Sequence, residues 1–287
     1  MKILLLGKGY IGNYLANFAT TSFNVLHFSK QDLDYSNPNV FRDFLEKESP
    51  SWIINASGYT GKPNVDACEK DKDRCYTYNV DVPFVLTKIA NDVDIPIIHI
   101  GSGCVYSGYE KTYTEEDAPN FGLEQTNSSF YSKTKDSFEK FTDTLKRYIF
   151  RIRIPFNGVP EPKNYLWKLL HYDNLISKQN SITNVDDLIH FVYKFITEKR
   201  EPGIYNVVND GSISAQDIVF KLMKNKLTNK NWKFVTVEEA NFEVERSNCI
   251  LSTEKIKNIN LGLPSIEESV DKAIFQYKLF LNYGHVR

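Results

Sequence analysis

The chain is poor in the features that mark whole classes of protein. Its 287 residues include four cysteines, Cys68, Cys75, Cys104 and Cys249, with no CxxC pair and no scaffold spacing, and five histidines scattered among them. That argues against a disulfide-stapled secreted domain and against a cysteine-rich metal module; the thiols read as reduced, in a cytoplasmic protein, and no metal is expected. No apolar run approaches the roughly eighteen residues a membrane-crossing helix needs, so no membrane partner is expected. The opening "MKILLLGKGYIG" has only four consecutive apolar residues after its lysine, then glycines and no small-residue cleavage site, so it reads as a buried strand and not as a signal peptide. An excess of one charge is missing too. Thirty-five basic and 36 acidic residues leave a net charge of -1 with no basic stripe, which speaks against a nucleic-acid partner. Internal repeats and low-complexity linkers are absent.

What is present is a regular alternation. The apolar runs "KILLLG" at 2–7, "NVLHFS" at 24–29, "WIINAS" at 52–57, "IPIIHIGS" at 95–102 and "YIFRIR" at 148–153 read as strands. Helical patterns separate them: from about Ile11, over 38–47, over 64–90 in two parts, and after Phe130. Apolar strands alternating with helices predict an α/β fold with a parallel sheet covered on both faces, a Rossmann-type doubly wound sheet. After Pro155, Pro160 and Pro162 the texture changes to short mixed segments, with amphipathic helices at "DDLIHFVYKFI" and "SIEESVDKAIFQYKLFL". The expected division is a dinucleotide-binding domain over 1–155 and a smaller C-terminal substrate lobe over 156–287, with some of its segments returning to the main sheet.

"GKGYIG" follows the first strand and supplies Gly7, Gly9 and Gly12 as GxGxxG, with Lys8, Tyr10 and Ile11 between them. Glycines there permit a tight turn, close approach of a diphosphate and close helix packing, and the helix N-terminus faces the negative charge. A plain strand–turn–helix is the bland alternative. Where an NAD-preferring site ends its second strand in Asp or Glu, this chain has Ser29 and Lys30. With Lys8 they suit a ribose 2′-phosphate, so the expected cofactor is NADPH in preference to NADH, unless both lysines are merely solvated. Asn55, Ala56, Ser57 and Gly58, at the end of the third strand, are expected to border the cofactor, as is Pro155.

Ser102 ends the fourth strand, and Tyr131 and Lys135 lie one turn apart on one helical face. A tyrosine can give a proton to a carbonyl oxygen as hydride reaches the carbon. A lysine cation lowers its pKa, and a serine hydroxyl can polarise the same carbonyl. A bare YxxxK is usually structural; the glycine loop and Ser102 give this one its chemical reading.

The motifs "NASGYTGKPNVDACE", "GSGCVYSG", "APNFGLEQTNSSFYSKTK", "FRIRIPF", "EPKNYLWKLLHYDN", "NSIT" and "RSN" resemble the extended short-chain dehydrogenase/reductases. More narrowly, they resemble plant-type nucleotide-rhamnose synthase epimerase/reductases, from Gly7 to about Asn248. The glycine loop is one residue shorter than that group's GxxGxxG, and the loop before Tyr131 is longer. The resemblance implies conversion of UDP-4-keto-6-deoxyglucose to UDP-β-L-rhamnose, by 3,5-epimerisation and then 4-reduction. It implies Cys104 as the epimerisation base and Lys168 as the opposing acid, with Lys163, His171 and Asn174 as nearby alternatives. The bland readings are a small buried cysteine and a solvated lysine. Thr60, Lys62, Asn64 and Arg246 are expected on the nucleotide sugar, Arg246 at its phosphates. Asp186 and Asp187 look like a helix cap and first turn. A homodimer is common in such folds, and a UDP-glucose 4,6-dehydratase would supply the substrate. The rivals are a pure 4-ketoreductase of the dTDP-4-dehydrorhamnose reductase type, an epimerase or dehydratase that retains NAD, and a non-enzymatic NADP(H) sensor. The base of the nucleotide stays open.

Overall fold

The computed structural model describes residues 1–17, 23–61, 64–240 and 242–284. Six strands form one sheet: β1 (Lys2–Leu6), β2 (Asn24–Phe28), β3 (Trp52–Asn55), β4 (Ile97–Ser102), β5 (Tyr148–Ile152) and β7 (Gly203–Asn206). Their order is β2-β1-β3-β4-β5-β7, and every neighbouring pair is parallel. The two-residue strands β6 (Asn174–Leu175) and β8 (Lys233–Phe234) pair separately. The interior strands are apolar because both faces are covered: β3 and β5 are buried along their whole length.

On one face, α2 (Pro38–Glu48) and α5 (Val82–Asp92) pack Phe41, Leu45, Leu86 and Ile89 against Leu4, Leu6, Ile53 and Ile97. On the other, α1 (Tyr10–Asn17) and α8 (Val185–Glu198) cover Ile3, Leu5, Ile54, Ile98 and Phe150. Between β3 and α5 the chain forms α3 (Ala67–Lys70), α4 (Lys72–Tyr76) and a widened π turn at Thr77–Asp81. The two helical parts expected over 64–90 are therefore four pieces: α3, α4, the π turn and α5. Pro83, in the first turn of α5, has no N–H to continue the ladder, and the π turn absorbs the mismatch. The helix α6 (Phe130–Phe141) is capped by Ser129, whose hydroxyl accepts the Ser132 N–H at 3.2 Å.

Beyond β5, the helices α7 (Tyr165–His171), α9 (Ala215–Lys224) and α11 (Ile266–Tyr283) build a second apolar core around Phe156, Leu166, Ile218, Val270 and Ile274. The short α10 (Glu254–Asn258) instead sends Ile256 into the main core. Asn184 caps α8, accepting the N–H groups of Asp186 and Asp187, so those two aspartates occupy the first turn. Among the described residues no helix is long and apolar enough to cross a membrane, and no His, Cys, Asp and Glu side chains cluster in a way that could hold a metal.

Candidate active site

The strand order reverses beside β1, and the glycine loop occupies that point. Gly7 has φ +102°, and a Cβ there would fall 2.7 Å from the Ser57 nitrogen, so the loop lies against the end of β3. A Cβ on Gly12 would fall 1.9 Å from the Gly7 carbonyl oxygen, which is the close helix–loop packing the motif requires. Around Gly9 a Cβ would meet nothing within 4 Å. The backbone at the start of α1 is thus bare on that side, as a diphosphate would need. Tyr10 and Ile11 turn their side chains into the main core. Tyr10 stacks edge-on against Tyr14 at 5.3 Å.

Lys8 and Ser29 converge on a residue that sequence reading passed over. Asp32 accepts the Ser29 N–H at 2.8 Å and its hydroxyl at 2.7 Å, and pairs with the Lys8 ammonium at 2.9 Å. These contacts hold its carboxyl well below the usual carboxylate range. Lys30 instead donates to the Tyr78 hydroxyl at 2.9 Å and lies over that ring. The end of β3 is fixed by Asn55, whose side-chain oxygen accepts from the Ser57 N–H and hydroxyl at 3.0 and 2.5 Å. Asn55 also bonds His99, whose other ring nitrogen meets Thr87 at 2.9 Å. Burial lowers the His99 pKa to about 3, so its imidazole stays neutral. Ala56 partly packs on the main core, and its N–H donates to Leu6. Pro155 gives its carbonyl to the Tyr165 N–H at 3.2 Å, tying the end of β5 to α7.

The reactive groups face one another across the ends of β4 and α6. After Ser102 the chain makes a single 3-10 turn over Gly103–Val105, with the Cys104 N–H donating to the Ser102 hydroxyl oxygen at 3.3 Å. From α6, Lys135 places its ammonium 5.5 Å from the Tyr131 ring centre. The same lysine reaches the loop after β3, since a Cβ on Gly58 would lie 3.7 Å from its Nζ. Burial raises the Tyr131 phenol well above its ordinary value, with Cys104 adding to the rise and hydrogen bonding from Ser102 opposing it. The sequence had suggested a phenol brought down by Lys135. Burial dominates instead, lowering Lys135 as well, because both groups lose water together. Burial also pushes the half-buried Cys104 thiol up, while Ser102, Ser132, Arg153 and Lys135 pull it back.

Asn79 was not anticipated either. Carried on the π turn, it accepts the Tyr59 N–H at 2.9 Å, and donates to the Tyr59 carbonyl at 2.8 Å and to the Cys75 sulfur and Thr134 hydroxyl at 3.3 Å. It clamps the loop after β3 to α6. No local pattern in the sequence marks it.

The remaining expected residues are more dispersed. Lys168 is half-buried on α7, its pKa lowered by burial and by Lys163. Thr60 is exposed. Asn64 uses its side-chain oxygen to accept the Asp66 N–H at 2.8 Å, shaping the turn before α3. Lys62 lies outside the described residues. Arg246 is already engaged: it pairs with Asp66 at 2.6 Å and lies 4.3 Å from the Phe242 ring centre. With Lys70–Glu243 at 2.7 Å and Asn127–Glu245 at 2.8 Å, it straps the 242–248 segment over the α3 region and the loop before α6. Beside this strap is a cavity of about 390 Å³ lined by Glu69, Lys72, Phe130, Lys133 and Glu245, to which none of the four reactive residues contributes.

A glycine-looped parallel sheet with Ser, Tyr and Lys gathered at its strand ends defines a reductase of the short-chain dehydrogenase/reductase type. The family model described as "RmlD substrate binding domain" matches residues 1–279, and the chain belongs to that family. It is 30% identical, over 95% of its length and 92% of the relative's, to a bifunctional dTDP-4-dehydrorhamnose 3,5-epimerase/dTDP-4-dehydrorhamnose reductase of Arabidopsis thaliana. It spans only 42% of a trifunctional plant relative with UDP-glucose 4,6-dehydratase, epimerase and reductase activities, at 28% identity. The UDP-rhamnose synthase of Acanthamoeba polyphaga mimivirus superposes with a TM-score of 0.88 at 24% identity, covering 96% of this chain and 99% of that one. A dTDP-4-dehydrorhamnose reductase of Bacillus anthracis, solved with NADP, gives 0.84 at 22% identity, over 96% and 99%. The resemblance drawn from the motifs is borne out, and the chain stands among sugar-nucleotide oxidoreductases and epimerases.

Proposed function

We propose that the chain is an NADPH-dependent 3,5-epimerase/4-reductase that converts UDP-4-keto-6-deoxyglucose to UDP-β-L-rhamnose. The observation that carries the reading is the turn holding Ser102 and Cys104 against the Tyr131 helix: a base and a ketone-reducing set share one small site. The bare backbone beside Gly9 fits the diphosphate of a dinucleotide, and Lys30, Lys8 and Ser29 fit a 2′-phosphate. NADPH, when bound, supplies hydride to C4 of the sugar.

The chain's own residues do the rest. Cys104 removes the protons at C3 and C5, which the neighbouring ketone acidifies, and Lys168 returns protons from the opposite face. Tyr131, kept protonated by its burial, gives its proton to the C4 oxygen. Ser102 donates a hydrogen bond to that oxygen: with the Cys104 N–H on one lone pair, its O–H turns from the Tyr131 phenol to the ketone when substrate binds. Lys135 holds positive charge beside the phenol as its proton leaves. The substrate would lie between residues 1–155 and the lobe over 156–287, with Thr60, Lys62, Asn64 and Arg246 toward the nucleotide. Arg246 would exchange its Asp66 partner for phosphate. A 4,6-dehydratase is the partner activity that supplies the keto sugar, and a homodimer is the assembly we favour.

A 4-ketoreductase with an idle Cys104 is the second reading, favoured by the burial that holds the thiol protonated. Incubation with UDP-4-keto-6-deoxyglucose and NADPH, followed by NMR of the product, separates the two. A rhamno-configured product supports the bifunctional enzyme. NADPH oxidation without inversion at C3 and C5 supports the reductase.

A further inference from the structure

Four of the motifs that carry the family resemblance meet at one side chain that none of the preceding chemistry uses. Arg153, at the end of β5, is 4% exposed. Its guanidinium donates to the Gly103 carbonyl at 3.1 Å, the Ser247 hydroxyl at 2.7 Å, the Ser247 carbonyl at 3.0 Å and the Asn180 side-chain oxygen at 2.7 Å. These acceptors come from "GSGC", "RSN" and "NSIT", and Arg153 itself from "FRIR". All four are neutral. No carboxylate pairs with this guanidinium among the described residues, and its Nε finds no partner. By contrast Arg151, two residues earlier and as deeply buried, is held by both oxygens of Glu139.

A buried cation without an anion is expensive, and such groups are normally paired. Two details show that the chain is shaped around this one. A Cβ on Gly103 would fall 3.0 Å from the Arg153 Cγ and 2.5 Å from Leu251, so the middle residue of Ser-Gly-Cys must be glycine for the arginine stem to pass. Ile154, directly after Arg153, takes φ +39°, a conformation a β-branched residue adopts only under constraint. The guanidinium thus grips the peptide between Ser102 and Cys104 from beneath.

We propose that Arg153 is a positioning residue for the Ser102–Cys104 turn, and that its unpaired charge is there to be met by the Cys104 thiolate. By fixing the Gly103 carbonyl it aims the next N–H, that of Cys104, at the Ser102 oxygen. By its charge it favours the ionised thiol at the moment Cys104 takes a proton. The other groups facing Cys104 are Ser102 on its own turn, Tyr131, Ser132 and Lys135 on α6, and Cys249 on the segment after the strap. Lys135 shares the cationic role. Arg153 differs in being fixed by four hydrogen bonds, one of them to the turn itself. The inference rests on the reading of Cys104 as the base.

The test is the pH profile of Cys104 alkylation by iodoacetamide, followed by peptide mass spectrometry at that residue. Cys68, Cys75 and Cys249 are fully buried, whereas Cys104 is only half so. Arg153→Gln removes the charge and should move the inflection up by about one pH unit, or about tenfold slower alkylation at neutral pH. Arg153→Lys keeps the charge and should stay within half that displacement. If Arg153→Gln fails to fold, Asn180→Asp keeps the arginine but supplies it with a carboxylate, and should displace the inflection in the same direction. An inflection in Arg153→Gln coincident with the native one overturns the proposal. Where only Asn180→Asp folds, an unmoved inflection there does so. Because no sugar nucleotide is present, this result stands apart from the epimerase reading. Deuterium exchange at C3 and C5 of UDP-4-keto-6-deoxyglucose, measured on native protein, tests that reading separately.

Discussion

At the scale of single residues, the proposed chemistry divides into two proton movements with different pH behaviour. The Cys104 thiol lies above its ordinary value, so the ionised base becomes more abundant as pH rises, and deuterium exchange at C3 and C5 should climb through an inflection higher than that of a free cysteine. The Tyr131 phenol is raised as well, which keeps the proton in place. Reduction of a ketone that needs no epimerisation should therefore stay flat across neutral pH and fall only where the phenol ionises. Tyr131→Phe should cost reduction about 10²–10⁴-fold while leaving exchange measurable, read by NADPH oxidation and by NMR in D2O. Equal loss of both would show that Tyr131 serves the site as a whole. Asp32 invites a second measurement. On the proposed reading it would compete with a 2′-phosphate for Lys8 and Ser29, so Asp32→Asn should lower the KM for NADPH and leave that for NADH higher than NADPH's. A lowered KM for NADH instead would mean that Asp32 repels the 2′-phosphate less than it shapes the loop. Gly7, Ser102, Tyr131 and Lys135 were legible because each belongs to a pattern with its own mechanism. Asp32, Asn79 and Arg153 were not: Asp32 also bonds Ser29 and Asn79 also bonds Cys75 close by, but the contacts that give each its place in the site, to Lys8, to Tyr59 and to Ser247, are distant in sequence.

At the scale of elements, the main strands and α6 could be read because apolar runs and helical periodicity are local properties. The four-residue β7 could not, since "GIYN" is too short to signal a strand, and only pairing with β5 makes it one. The same pairing organises a ring cluster. Phe150 on β5 meets Phe191 and Phe195 on α8 at 5.1 and 4.9 Å and Tyr205 on β7 at 6.1 Å, all near edge-to-face. Phe150→Ala should cost about 3–5 kcal/mol of unfolding free energy, seen as a lower midpoint in urea. It should lower NADPH oxidation only as far as folded protein is lost. A loss smaller than about 1 kcal/mol would mean the helix collapses into the cavity, because the cost of a deleted ring depends on how far its surroundings can close.

At the scale of the whole molecule, the second half of the chain is not simply set beside the first. It supplies β7 to the sheet and α8 to the sheet's face, so a fragment ending at residue 155 would lack both. That fragment should expose the β5 edge and the apolar face that α8 covers, and should sediment as aggregate where the full chain does not. A monomeric, NADP-binding fragment would show the first half to be self-sufficient. The meeting of motifs at Arg153 has a further consequence, one of time. A ribosome makes Gly103 and Arg153 early, but the Ser247 that completes the guanidinium's set follows 94 residues after Arg153. The glycine loop and the Tyr131 helix can form during synthesis, whereas the turn that carries the thiol gains its last support only when residue 247 has emerged. On the proposed reading, a nascent chain stalled before that point would lack the Ser247 support of the Cys104 turn, and its epimerisation step would be the last part of the chemistry to mature.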